Sequence, residues 1–192
     1  MITLATNKRE DIMKAALVLF AERGYDGTTV PMIAESAKVG AGTIYRYFAN
    51  KESLVNGLFQ HCVQVFSDTL KYEAIHSTPD IREQFHYIFQ RLVKFADNNV
   101  NALLFIESHN SAYYLDDRSK QVFDELLGTF RQVLENGKKV GVIKEFNTDA
   151  LIAIVYGSFV LLFKLIKSGV LTETPDLLEG VEESCWNAIR IL

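Results

Sequence analysis

TTVPMIAESAKVGAGTIYRYFANKESL, residues 28–54, decides how the rest of this 192-residue chain is read. The stretch reads as a helix, a tight glycine-containing turn, and a short second helix with small residues, tyrosines and one arginine. That layout is a helix-turn-helix, whose second helix enters the major groove of DNA. Ile33 and Ala37 lie one turn apart on the first helix, and Ile44 and Tyr47 are neighbours on the second. Val39 fills the gap between them, and Ala34 is small where two steeply crossing helices nearly touch. Gly40 and Gly42 are expected to take backbone angles that other residues resist. Thr29 is the expected N-cap of the first helix, and Pro31 is tolerated in its first turn. Asn50 is the expected cap of the next helix, with Glu52 near its positive end.

On the second helix, Thr43 and Arg46 are the side chains best suited to base edges. Arginine pairs bidentately with guanine, and threonine offers a hydroxyl or a methyl; one good bidentate contact is worth about 1–3 kcal/mol of discrimination. Ala41 and Gly42 are small enough to let the helix sit deep in the groove. Tyr47 fits a packing position as well as a contact position.

Upstream, Ile12, Ala15, Ala16, Leu19, Phe20 and Arg23-Gly24-Tyr25 extend the pattern. Together with TTV-x-x-IA-x-x-A and V-x-x-GT-I-YRYF-x-NKESL, they resemble the N-terminal DNA-binding domain of TetR-type transcriptional regulators over residues 7–59. Two departures stand out: Lys38 where many members have glycine, and Met32 where many have an acid that would close a capping box with Thr29. Tyr45 and Tyr47 resemble family positions that reach phosphates or bases, and Thr29 and Lys51 resemble phosphate clamps. Lys38 could add a phosphate contact. The resemblance further implies a homodimer formed by the two C-terminal helices and a mainly apolar effector cavity in each bundle.

Working outward, the composition fits this reading. Hydrophobic residues make up 48% of the chain, so a packed core is expected and disorder is not. The net charge is −4, but residues 1–60 hold 7 Lys and Arg against 6 Asp and Glu, so the acidic excess lies downstream. Lys8, Arg9, Lys14, Lys38, Arg46 and Lys51 concentrate in or beside the expected reading head. Cys62 and Cys185 read as reduced, buried thiols. The first ten residues lack the apolar stretch of an export signal, which places the expected protein in the cytoplasm. The longest apolar run, residues 150–163, falls short of the roughly 20 residues that span a bilayer, so no membrane is expected as a partner.

Nearly every other segment has helical period. Stripes run through Leu54, Leu58, Cys62 and Phe66; through Ile81, Phe85, Ile88, Leu92 and Phe95; and through Val122, Leu126, Phe130 and Val133. Asn98-Asn99 is an expected break before a shorter piece at 102–106. Thr78-Pro79-Asp80 and Thr174-Pro175-Asp176 read as starts with proline in the first helical position. The expected fold is all-α with about nine helices: a three-helix helix-turn-helix domain at 1–50 and a ligand-binding and dimerisation bundle at 51–192. Residues 150–163 are apolar at every angle, more than one bundle face absorbs, so a homodimer through helices at about 149–168 and 175–191 is expected. Two copies about one DNA turn apart would read a near-palindromic, double-stranded operator.

Ligand residues are less legible, because most aromatics in the second half read equally well as core. Phe105, Glu107, His109, Tyr113, Tyr156 and Phe159 are the candidates for a small-molecule effector. His61, His76 and His86 show no metal spacing, so no metal and no cofactor are expected. Gly40-Ala41-Gly42 opens like a dinucleotide fingerprint, but Tyr45 stands where the third glycine is needed, and no P-loop, G-x-S-x-G or H-E-x-x-H follows. The expected function is therefore not enzymatic: a ligand-responsive regulator, a repressor in the first instance, whose effector favours the form that does not bind DNA and shifts the long fourth helix. The alternative is an all-helical small-molecule binding protein without specific DNA readout.

Overall fold

The computed structural model describes residues 8–70, 75 and 77–191. His76, named above, lies outside the described residues. Eight helices are given in full by the described residues: α1 (Lys8–Arg23), α2 (Val30–Ser36), α3 (Ala41–Tyr45), α4 (Lys51–Leu70), α5 (Ile81–His109), α6 (Asp117–Lys139), α7 (Thr148–Lys167) and α8 (Pro175–Ile189). The one β feature among them is an isolated antiparallel bridge between Ile143 and Arg190. The all-α expectation holds. About nine helices are expected and eight are found, because the pieces at 81–95 and 102–106 run on as α5, kinked at Asn99 (φ −142°, ψ 38°). One non-helical residue bends the helix without ending it, and burial resumes at Ala102, Leu103, Phe105 and Ile106.

The chain forms two compact units. The first combines residues up to 63 with 101–122. Its core takes Ile12, Ala16 and Phe20 from α1, Ile33 and Ala34 from α2, Ile44 from α3, Leu54, Leu58 and Phe59 from α4, and Phe105 from α5. Gly24, at φ +67°, ends α1 in the left-handed conformation that glycine adopts without steric cost, and its N–H bonds the Phe20 carbonyl at 3.0 Å. The expected caps are present: Thr29 Oγ1 accepts from the Met32 N–H, and Asn50 Oδ1 accepts from the Ser53 N–H at 2.7 Å. Ser53 Oγ returns the favour by accepting from the Asn50 N–H at 3.1 Å. Buried Asn56 ties the 110–119 connection to α4. Its Nδ2 donates to the Tyr114 carbonyl at 2.8 Å, and its Oδ1 accepts from Asp116 N–H at 2.9 Å and Ser119 Oγ at 2.7 Å.

The second unit combines 64–100 with the residues from 123 onward. Ile81, Phe85, Leu134, Ile143, Leu151, Ile152, Cys185, Trp186 and Ile189 form its buried cluster. Gly137 is dictated by packing: a Cβ there would stand 2.4 Å from Ile143 Cγ1. Thr174 caps α8 as expected and Pro175 opens it, while Asn147 caps α7. Pro79, however, lies ahead of α5. Asp80 is the residue that starts that helix, because its carboxylate accepts from the Arg82 N–H at 2.7 Å and the Glu83 N–H at 3.2 Å. Buried Glu182 on α8 accepts from Arg82 Nη1 at 2.5 Å and bonds His86 Nδ1 at 2.9 Å, joining α8 to α5.

Helix α7 spans 20 residues, longer than its apolar run, and is long and apolar enough to cross a membrane by length and composition. Leu151, Ile152, Phe159, Val160, Leu162 and Phe163 are buried on one side of it. Ile154, Gly157, Ser158 and Leu161 lie exposed on the other. Cys62 and Cys185 are free and buried, and burial pushes the Cys62 thiol up to about 12, leaving it protonated and unreactive.

Candidate nucleic-acid interface

The short helix α3 divides its side chains cleanly. Ile44 and, one turn on, Phe48 are buried. Ala41, Gly42, Tyr45, Arg46 and Tyr47 are exposed, and Thr43 is half-buried. Tyr47 therefore does not fill the packing position that spacing allowed it; at 45% exposure it stands outward, and Phe48 packs instead. The sequence offered the signal in YRYF, where two aromatics compete for one inward direction and the more apolar one takes it. Arg46 lies just past the end of α3, where its N–H bonds the Thr43 carbonyl at 3.2 Å; its guanidinium makes no hydrogen bond or ion pair with a described residue and is available to an outside acceptor.

The turn between α2 and α3 departs from expectation. Gly40 caps α3 at φ −71°, ψ 145°, an extended conformation open to any residue. The left-handed position is Lys38, at φ 54°. Gly42 also has an ordinary helical role, and a Cβ built on either glycine meets nothing within 4 Å. Neither glycine is demanded by the fold, so the bare surface at Gly42 is free to meet something outside the chain.

Thr29 is exposed at the head of α2, where its hydroxyl serves the cap. Lys51 is tied in more closely than expected of a phosphate clamp. Its Nζ donates to the carbonyls of Tyr25 at 2.8 Å and Thr28 at 3.0 Å, and it sits 3.8 Å from the centre of the Tyr25 ring. Two of three ammonium donors hold the α1–α2 turn, and the third remains for an anion. Tyr25 in turn stacks on Tyr114 at 3.9 Å. Burial, first, and the charges of nearby acids, second, raise the phenol pKa of both tyrosines, Tyr114 to about 12. Both stay neutral.

The six effector candidates do not come together. Phe105 and His109 are buried in the first unit; Phe159 is buried in the second, and Tyr156 is half-buried there. Glu107 and Tyr113 face solvent, Tyr113 with 82% exposure. His109 Nδ1 lies 2.8 Å from the Phe105 carbonyl, so this nitrogen carries the proton and donates. Its Nε2 is buried without a hydrogen-bond partner. Burial lowers its pKa below the usual 6.5, partly countered by the Phe105 bond. The second unit does contain an apolar cavity of about 40 Å³, lined among others by Phe85, Leu92, Phe130, Leu151, Val155 and Tyr156. Of the six candidates only Tyr156 reaches it. Helical spacing marks these residues as inward-facing but does not separate core from cavity lining, so no sequence signal singled out the others.

Comparison with known proteins agrees with this geometry. The pattern of bacterial regulatory proteins of the tetR family matches residues 12–58, and that of the tetracyclin repressor-like C-terminal domain matches 59–191. An HTH-type transcriptional regulator of Haemophilus influenzae is 26% identical over 185 residues, 96% of this chain and 97% of that one. The fatty acid metabolism regulator protein of Bacillus subtilis is 29% identical over 140 residues, 72% of each. The crystal structure of a TetR family transcription regulator from Marinobacter aquaeolei VT8 superposes with a TM-score of 0.80 at 19% identity, over 96% of each chain.

Proposed function

The chain belongs to the tetR family of bacterial regulatory proteins, and from that premise we propose that it is a repressor that binds a near-palindromic operator as a homodimer and is released by a small, largely apolar effector. The observation that carries the reading is the division of α3. Ile44 and, just beyond the helix, Phe48 fix it to the unit, and Gly42, Thr43, Tyr45, Arg46 and Tyr47 are left to serve a surface outside the chain. Ala41 and Gly42 permit close approach, Thr43 and Arg46 read base edges, and Tyr45, Tyr47, Thr29 and Lys51 hold phosphates. In this reading residues 1–50 form the reading head and 51–192 bind effector and partner, in the cytoplasm, without enzymatic chemistry.

The effector site is assigned to the apolar cavity of the second unit, with Tyr156 the polar group at its wall. At about 40 Å³ it holds one or two waters, far below the roughly 300–1,000 Å³ of a ligand site. An effector must therefore bind a form in which these side chains have moved apart. That is the differential affinity release requires, since a ligand that binds both forms equally shifts nothing. An apolar effector is supported by the lining and by the fatty acid metabolism regulator among the relatives.

Selection from a pool of random DNA duplexes tests the reading. Enrichment of one near-palindrome by the purified full chain is the expected result. A bound fraction as random as the input would overturn it.

A further inference from the structure

Beside the recognition helix lies an open groove of about 580 Å³ between α1 and the α2–α3 turn. One face of α1 supplies Lys8, Asp11, Lys14, Ala15 and Val18, and the turn supplies Lys38 with its neighbours. The α1 positions follow one another at helical spacing, so they form a single wall. Three lysines face one aspartate. None of these four side chains forms an ion pair or hydrogen bond with a described residue. The groove is therefore electropositive, and no described residue neutralises its lysines.

Lys38 adds a separate reason to expect a ligand. It occupies the left-handed conformation at φ 54°. A residue with a Cβ is strained there, and glycine is not. Such a residue persists where its side chain is of use, and strain of this kind gathers at binding sites. The buried core does not use this side chain, because Lys38 is exposed. Val39 of the same wall is followed directly by Gly40, the cap of α3. The groove thus adjoins the start of the helix assigned to the major groove. It is broad and open, suited to a strand lying across it.

We propose that the groove bearing Lys8, Lys14 and Lys38 is a second phosphate-binding surface for duplex DNA, carrying contact outward from the recognition helix. This inference rests on the DNA-binding reading above. The groove supplies affinity blind to sequence, and α3 supplies the choice of sequence. Each phosphate contact releases counterions, so each lysine contributes to the steepness with which binding falls as salt rises.

The test uses the full chain and a mixed-sequence DNA duplex, with dissociation constants measured from about 50 to 200 mM salt. Three variants are compared with wild type: Lys38→Gly, the double change Lys8→Gln with Lys14→Gln, and Arg46→Ala. The expected result is that Lys38→Gly lowers the salt slope by about 1 per chain and the double change by about 2, with thermal midpoints no lower than wild type. Loss of slope in a protein that is no less stable is an outcome a purely structural lysine would not give. Arg46→Ala reports separately on the base-reading helix, through the operator preference recovered by selection. If wild type binds duplex and the lysine variants keep its slope, the groove assignment is overturned and the DNA-binding reading stands. If, with slopes unchanged, tripolyphosphate raises the midpoint of wild type and not of the lysine variants, the groove takes a free anion and its DNA role is overturned. If wild type binds no duplex at any salt, both readings fall together.

Discussion

Gly42 has open space where a side chain would go, and it sits inside a helix, where glycine is disfavoured by roughly 0.5–1 kcal/mol relative to alanine. Stability alone would remove it, so its role belongs to the surface it exposes. Gly42→Leu is expected to leave the thermal midpoint at or above wild type while operator affinity falls at least about tenfold, some 1.4 kcal/mol. A variant that binds as tightly as wild type would show that α3 does not approach DNA closely there. Lys38 presents the converse. Changing it to glycine relieves about 1–2 kcal/mol of left-handed strain but frees the unfolded chain by about 0.4–1 kcal/mol. The difference is a small net gain in stability, on the order of 0.5 kcal/mol, readable by denaturant titration. Lys51 and Arg46 separate in another way. Lys51→Ala removes two charge-assisted bonds to the Tyr25 and Thr28 carbonyls, each worth about 1.5–3 kcal/mol. It should lower the midpoint and weaken binding to all sequences alike. Arg46→Ala should spare stability and relax sequence preference, which competition between operator and random duplex will measure. Equal, sequence-blind losses from both would remove Arg46 from the base-reading role.

At the scale of elements, local chemistry was readable and competition between neighbours was not. The caps at Thr29, Asn50 and Thr174 follow from short polar side chains that can reach an unpaired N–H three residues on, and all three occur. The head of α5 was misplaced because threonine and aspartate flank Pro79 and either can cap; the Asp80 carboxylate, with two N–H donors in reach, prevails. The left-handed Lys38 depends on how α3 turns against its neighbours, which spacing does not encode, whereas at Tyr47–Phe48 spacing leaves two aromatics for one inward direction and their polarity decides between them. His109 at the end of α5 is another such case. Its neighbours Phe20, Phe105 and Tyr114, all aromatic, come from two helices and a loop. The neutral ring is held through Nδ1, and a proton on Nε2 would be buried without an acceptor. Its folded pKa is depressed below the unfolded 6.5, so the unfolded chain binds the proton more readily. Stability that is fully present above pH 6.5 is lost as pH falls from there toward the folded value. Thermal midpoints measured across that range should drop more steeply for wild type than for His109→Gln; parallel curves would clear His109 of the acid sensitivity.

For the whole molecule, the homodimer proposed above would use the outer face of α7 and α8. Ile154, Leu161 and Leu165 on α7 and Leu171, Val181 and Ala188 near and on α8 line one apolar groove, with Ser158 and Ser184 as its small polar members. Leu161 is 55% exposed and Ile154 39%. In water a leucine side chain gains roughly 1.5–3 kcal/mol from full burial, so a contiguous face of this kind favours a cover. The membrane-like length and hydropathy of α7 arise from the same side chains: one face serves the core of the second unit, and the other is left for a partner. Under the proposed DNA reading, a second copy would be that cover. One α3 of five residues makes few base contacts, and a two-fold pair reading half-sites about 34–36 Å apart roughly doubles the binding free energy of one head before the cost of association. Leu161→Glu places a charge on that face without touching the buried side of α7 or the reading head. Sedimentation should show wild type as a dimer and the variant as a monomer. Duplex affinity should fall to that of a single head, with the helical content of both proteins unchanged. A variant that remains dimeric and keeps full operator affinity would move the interface away from α7 and leave its apolar face to another partner.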